Sequence, residues 1–148
     1  MHRILFVCYG NICRSPMAEF VMKDLVEKRG LKEQFHIESR ATSTEELGNS
    51  VYPPIRAELA RHGIGCQGKV AMQLTVEDYE AFDLLIAMDR QNVRDIGRIT
   101  GGDPQGKVHR MMEHTARGGE VADPWYTRRF ADTYRDVLQG CEAWLDIL

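Results

Sequence analysis

The sequence predicts an α/β fold: a single domain over residues 1–148, with a four-stranded parallel sheet and helices on both faces. Three observations predict it. Two short apolar runs, at residues 4–7 and 82–88, have the near-continuous hydrophobic character of strands buried on both faces. Apolar residues between and after these runs recur at helical spacing, so strands and helices alternate along the chain. A tight turn containing Gly10 and Asn11 leads straight from the first strand into a helix opened by Pro16.

Each element has its own justification. Residues 3–8 hold the first strand, Ile-Leu-Phe-Val followed by turn residues. From Pro16, the apolar residues Met17, Phe20, Val21, Leu25 and Val26 mark a helix, with charged residues such as Glu19 and Lys23 between them and Gly30 as its stop. Residues 35–39 read as a short strand and 41–49 as a Ser/Thr-rich loop. Pro53-Pro54 opens a helix over 55–62, which Gly63 and Gly65 close. Thr75 caps a short helical turn, although Asp78 stands where a full capping box has Glu. Residues 82–88 are the next strand, and Asp89 caps a helix over 89–96. The glycine-rich stretch 97–106 reads as a loop and 107–112 as a weaker strand. From Arg129 on, Phe130, Tyr134, Val137, Cys141, Trp144 and Leu145 trace a closing amphipathic helix. Right-handed crossovers between parallel strands distribute the helices over both faces.

Composition narrows the function classes. An apolar content of 43% and a charged content of 28% are those of an ordinary globular chain. The net charge of −3 argues against a nucleic-acid-binding surface. The first apolar run breaks at Gly10-Asn11, too early for a signal-peptide core, and no stretch approaches the roughly 20 apolar residues of a membrane span. The expectation is therefore a cytoplasmic protein with no membrane partner and reduced cysteines at 8, 13, 66 and 141. Cys8 and Cys13 lack a second Cys/His pair and make a poor zinc pattern. No oligomeric state is assigned.

The chemistry concentrates in Cys8-Tyr9-Gly10-Asn11-Ile12-Cys13-Arg14-Ser15-Pro16. In open parallel sheets, ligands bind beyond the carboxyl ends of the strands, where a helix N-terminus can face an anion. Backbone N–H groups of residues 9–14 can converge on phosphate oxygens. Gly10 is expected to take a conformation that a Cβ would hinder, and Asn11 to stabilise turn geometry. Arg14 adds a planar two-pronged donor. Such surroundings favour a thiolate at Cys8, and a thiolate facing a phosphate is a nucleophile; the plainer alternative is a small buried residue at a strand end. Ser15 can donate to that thiolate, cap the helix, or do both. Phosphoryl transfer to sulfur expels an alkoxide or phenoxide that a positioned acid should protonate, and Asp123, before Pro124, is the candidate; its alternative is an N-cap or turn residue.

CYGNICRSP resembles the signature of the low-molecular-weight protein tyrosine phosphatases, and Asp123-Pro124-Trp125-Tyr126 resembles their C-terminal acid motif. The likeness extends through Ala41-Thr42-Ser43, Arg61-His62-Gly63-Ile64 and Met88-Asp89-x-x-Asn92, covering essentially the whole chain. It implies a flavodoxin-like sheet with a phosphate-binding loop after the first strand. It also implies a two-step reaction on phosphotyrosine-containing proteins, with Cys8 as nucleophile, Arg14 as phosphate ligand and Asp123 as general acid then base. No cofactor or metal is needed, and inorganic phosphate or other oxyanions should inhibit. The resemblance further implies that Cys13 protects Cys8 through a reversible disulfide, that Asn11, Ser39 and Asp89 hold the site in shape, and that Trp125 and Tyr126 form one wall of the substrate pocket. Trp125 has core packing as its alternative.

The chain departs from that pattern in places. Glu45 stands where relatives usually carry an aromatic wall residue, and Tyr9 where the loop is often aliphatic. A carboxylate there weakens ring packing and repels an acidic phosphopeptide, unless Tyr9 supplies the missing surface. Lys69-Val70-Ala71-Met72 replaces a His-x-Ala-Arg segment. Three other readings compete. An arsenate reductase of the same fold needs further cysteines near residues 84–89, where there are none. A protein arginine phosphatase tends to carry Thr where this loop has Ile12. A non-catalytic phosphate-binding module has no reason to keep both Cys8 and Asp123.

Overall fold

A computed structural model describes Met1–Leu148. Its elements run β1 (His2–Cys8), α1 (Arg14–Lys28), a 3-10 turn (Lys32–Gln34), β2 (Phe35–Ala41), α2 (Pro53–Arg61) and α3 (Val76–Ala81). They continue with β3 (Leu84–Ala87), α4 (Arg90–Thr100), β4 (Val108–Arg110), α5 (Pro124–Thr127) and α6 (Phe130–Ile147). The four strands form one parallel sheet in the order β2-β1-β3-β4. The chain moves outward from β1 to β2, then crosses back to β3 on the other side. The carboxyl end of β1 therefore lies at the point where strand order reverses, the place where open parallel sheets bind ligands.

Alternation along β1 separates two apolar layers. Ile4, Phe6 and Cys8 face a core built with α1, α2 and α6, whereas Leu5 and Val7 pack with Leu85, Ala87, Tyr79 and Ile96 under α3 and α4. Helices thus cover both faces, as expected. No helix is long and apolar enough to cross a membrane.

Several boundaries moved for identifiable reasons. β2 runs on to Ala41, paired with Cys8, so both strands end at the same level under the site. α3 carries a complete reciprocal capping box: Thr75 Oγ1 accepts from the Asp78 N–H, and the Asp78 carboxylate accepts from the Thr75 N–H at 3.0 Å. The shorter Asp therefore does the work expected only of Glu. Phe82 belongs to the end of α3 and packs in the second core layer, which shortens β3. α4 passes through Gly97 to Thr100 and stops at Gly101, whose φ of 76° needs a glycine. Burial of Ile96 beneath the helix outweighs the roughly 1 kcal/mol that an internal glycine costs.

Gly140 in α6 is explained by close approach. A Cβ there would lie 2.7 Å from Met111 Cε and 2.9 Å from the Met111 carbonyl oxygen, and a backbone atom cannot step aside cheaply. Gly140→Ala is therefore expected to lower stability by about 1–3 kcal/mol despite its better helix propensity. A fall of roughly 2–10 °C in Tm would register it, and an unchanged or raised Tm would contradict this packing.

Candidate active site

β1 delivers Cys8 to the rim of the sheet, and residues 9–13 fold back over it before α1 begins. The turn is made at Asn11, whose φ of 58° is left-handed. Asn tolerates that region because its short amide can bond locally. Gly10 does not take a left-handed conformation, and the nearest neighbour of a Cβ there would be Glu46 Cγ at an ordinary 3.4 Å. The conformational demand expected of Gly10 thus falls on Asn11. α1 opens at Arg14 with Cys13 as its N-cap and no side-chain cap bond. Ser15 lies inside the first turn, so the expected capping role is absent.

What Ser15 does instead follows from a chain of hydrogen bonds. The Met72 N–H donates to Asn11 Oδ1 at 3.1 Å, which fixes the amide so that Nδ2 faces Ser15 Oγ at 2.7 Å and Ser39 Oγ at 2.9 Å. Both hydroxyls accept from Asn11. Ser39 Oγ donates to Glu19 Oε1 at 2.6 Å, and Ser15 Oγ is in hydrogen-bond contact with Cys8 Sγ, 3.0 Å away. The Asn11 N–H also points at that sulfur, at 3.3 Å. Asn11 and Ser39 are thus joined with Ser15 and Cys8 in one hydrogen-bonded chain.

Arg14 is buried and aimed across the same loop. One terminal nitrogen donates to Asp89 Oδ2 at 2.7 Å and to the Val121 carbonyl at 2.9 Å, while the other lies 3.5 Å from Asp123 Oδ2. Its Nε is buried with no protein partner. An unsatisfied buried donor is costly, so this one marks a place suited to an acceptor such as an oxyanion. Burial alone works against the guanidinium charge; the Cys8 sulfur together with Asp89 and Asp123 outweighs it, and the Arg14 pKa is raised. Asp89 also caps α4 reciprocally with Asn92, so one carboxylate anchors both a helix and the arginine.

Asp123 reaches the cleft from the far end of the chain. The Val121 N–H donates to the Met88 carbonyl, which ties the segment before α5 to the end of β3. Asp123 then caps α5, with Oδ1 accepting from the Trp125 N–H at 3.0 Å and Oδ2 left facing Arg14. The two readings of this residue are compatible, since each uses a different carboxylate oxygen. Trp125 is 47% exposed and leans on the Tyr52 ring at 5.1 Å, which rules out the core-packing alternative. Tyr126 is exposed beside it.

The opposite wall is held to the loop by main-chain and side-chain bonds. Thr42 N–H and Ser43 N–H donate to the Cys8 and Tyr9 carbonyls, and the Tyr9 hydroxyl donates to Glu45 Oε1 at 2.6 Å. Ile12 and Cys13 complete the floor of the cleft. Burial, followed by the nearby Cys8 sulfur, pushes the Cys13 thiol up to about 12, so it stays protonated at neutral pH.

Sequence reasoning missed the buried base of this arrangement. Glu19, one of the charged residues between the apolar positions of the first helix, is 4% exposed and bonds Ser39 and Lys23, with Lys69 3.3 Å away. Burial lowers the Lys69 pKa against the pull of Glu19. The available signal was the spacing of Ser15, Glu19 and Lys23, which places three polar residues on one helix face. Tyr52, Glu46 and the Val121 carbonyl carried no local signal.

A family model described as low molecular weight phosphotyrosine protein phosphatase matches residues 3–148. The chain belongs to this family. Among relatives within it, a low molecular weight protein-tyrosine-phosphatase of Bacillus subtilis is 34% identical over 147 residues, covering 98% of this chain and 94% of that protein. Its crystal structure superposes with a TM-score of 0.95 over 99% of this chain and 94% of that one. A Streptococcus pyogenes low molecular weight protein tyrosine phosphatase, 40% identical, gives 0.91 over 100% and 93%. A Drosophila arginine phosphatase, at 26% identity, gives 0.89 over 97% and 96%.

Proposed function

We propose that residues 1–148 form a single protein tyrosine phosphatase domain that hydrolyses phosphotyrosine through a cysteinyl-phosphate intermediate. The observation that carries this reading is the convergence of Arg14, with its unpartnered Nε, and Asp123 on the loop that presents Cys8. The phosphoryl group sits over the loop, held by its backbone N–H groups and Arg14. Cys8 sulfur attacks phosphorus, the bond to the tyrosyl oxygen breaks, and Asp123 gives its proton to the departing phenoxide. In the second step, water attacks phosphorus, the Asp123 carboxylate takes a proton from that water, and Cys8 leaves as a thiolate that the Ser15 hydroxyl stabilises. Inorganic phosphate is the product. We assign Cys13 to protection: a Cys8 sulfenic acid condenses with the Cys13 thiol, forming a disulfide and releasing water.

The cleft favours an aromatic ester over a phosphoguanidine. Trp125 and Tyr9 offer flat surfaces for a phenyl ring, and Ile12 brings aliphatic bulk with no hydrogen-bonding group for a planar guanidine. The free state of all four cysteines suits a reducing compartment, and we place the protein in the cytoplasm. A turnover panel tests the reading, comparing phosphotyrosine, phosphoserine and phosphoarginine peptides, and arsenate with a reductant. Phosphotyrosine is expected to give the highest kcat/KM; faster phosphoarginine turnover would overturn the substrate assignment, and phosphate binding without turnover would make the protein a binding module.

A further inference from the structure

The mouth of the cleft has more acidic than basic side chains in its lining, with Arg128 outside that lining on the Trp125 side, over the Tyr52 ring. Its lining includes the carboxylates of Glu45, Glu46 and Asp123, and Arg14 is the one cation among the lining residues. Arg14 is already engaged by Asp89 and Asp123 deep in the site. Glu46 is met only by a neutral donor, Asn49 Nδ2 at 2.7 Å. Glu45 is met by the Tyr9 hydroxyl at 2.6 Å, also neutral. That hydrogen bond raises the Tyr9 pKa, so the phenol remains a donor to the Glu45 carboxylate.

The Tyr9 contact also fixes where the charge sits. A free glutamate side chain sweeps through many rotamers, but Glu45 is clamped to a ring that itself lines the cleft. When a phosphoryl group occupies the loop and its phenyl ring lies between Tyr9 and Trp125, the peptide backbone emerges at this rim. The side chains next to the phosphotyrosine then pass Glu45 and Glu46.

We propose that Glu45, clamped by Tyr9 and reinforced by Glu46, is a specificity-determining residue that selects phosphotyrosine segments flanked by Lys or Arg and rejects those flanked by Asp or Glu. This rests on the phosphotyrosine reading above and adds the charge class of the substrate. Like charges facing each other at an interface suppress wrong partners, and opposite charges at a rim speed association in a salt-dependent way.

The test is a ratio measured within one enzyme, so differences in folded or active fraction cancel. Two phosphotyrosine peptides identical except for Lys or Glu on either side of the phosphotyrosine are compared, with a simple aryl phosphate as a substrate that has no flanks. The wild-type enzyme is expected to favour the Lys-flanked peptide about 5- to 20-fold in kcat/KM at low ionic strength, and less at high salt. Glu45→Gln should bring the ratio towards one, Glu45→Lys should reverse it, and Tyr9→Phe, which frees Glu45, should narrow it. A wild-type ratio of one, or a ratio that Glu45→Gln leaves unchanged, overturns the proposal while aryl phosphate turnover keeps the phosphatase reading standing. Absence of aryl phosphate turnover by the wild-type enzyme overturns both.

Discussion

Replacing Cys8 with serine is expected to remove turnover of a phosphotyrosine peptide, by roughly 10⁴-fold or more in kcat, while leaving the peptide bound. A serine hydroxyl is not ionised at neutral pH and has no adjacent base here to activate it, so the first step loses its nucleophile. The loop itself should persist. Its turn is set by the Asn11 backbone, and Arg14 is held by Asp89 and Val121 rather than by Cys8. The Asn11 N–H and the Ser15 hydroxyl that point at the Cys8 sulfur can point equally at a serine oxygen. Steady-state assay together with phosphate titration by calorimetry separates the two effects. Turnover that survives the substitution would sink the mechanism, and loss of phosphate affinity would show that Cys8 shapes the loop.

Asp123→Asn should have the next largest effect, and one that depends on the leaving group. Asparagine caps helices about as well as aspartate, so its side-chain oxygen can keep the bond to the Trp125 N–H and α5 should stay in place. What disappears is the proton for the departing oxygen. Positioned acid–base groups contribute about 10²–10⁴-fold, so kcat on phosphotyrosine is expected to fall by that order. An aryl phosphate with strongly electron-withdrawing ring substituents, whose phenoxide departs without help, should lose much less in its first step. Burst kinetics with both esters measures that step directly. An equal loss on both would assign Asp123 to holding Arg14, 3.5 Å away, rather than to proton transfer.

Much of this site is legible in the sequence because its chemistry is carried by short local patterns. A buried strand ending in cysteine, a turn, and an arginine at the start of a helix place Cys8 and Arg14 together whatever the rest of the chain does. Thr75 and Asp89 are readable as caps for the same reason, since a cap involves residues within one turn. Asp123 is readable only in part. Its cap is local, whereas its meeting with Arg14 depends on Val121 being anchored to Met88 at the carboxyl end of β3.

The parts that were not legible are those in which tertiary structure decides. Glu19 looks like any surface glutamate until β2 brings Ser39 beside α1 and the 69–72 segment folds over both. Ser15 resembles an N-cap, but α1 starts earlier and its hydroxyl is drawn to Asn11 and Cys8. Gly10 and Asn11 both suit a left-handed turn, and only the positions of their neighbours assign it to Asn11. Gly97 signals a helix end by propensity, yet the helix continues because its far turn still packs on the sheet.

The most direct test of the central claim is to find the phosphoryl group on the enzyme partway through the reaction. Asp123→Ala enzyme, in which hydrolysis of the intermediate should be slowed, is mixed with an activated aryl phosphate, quenched within milliseconds and digested for mass spectrometry. The expected result is one phosphoryl group on the peptide containing Cys8, bonded to its sulfur, which turns over when the reaction is left to proceed. A phosphoryl group on any other residue, or product formed with none on the enzyme at any time, would contradict it.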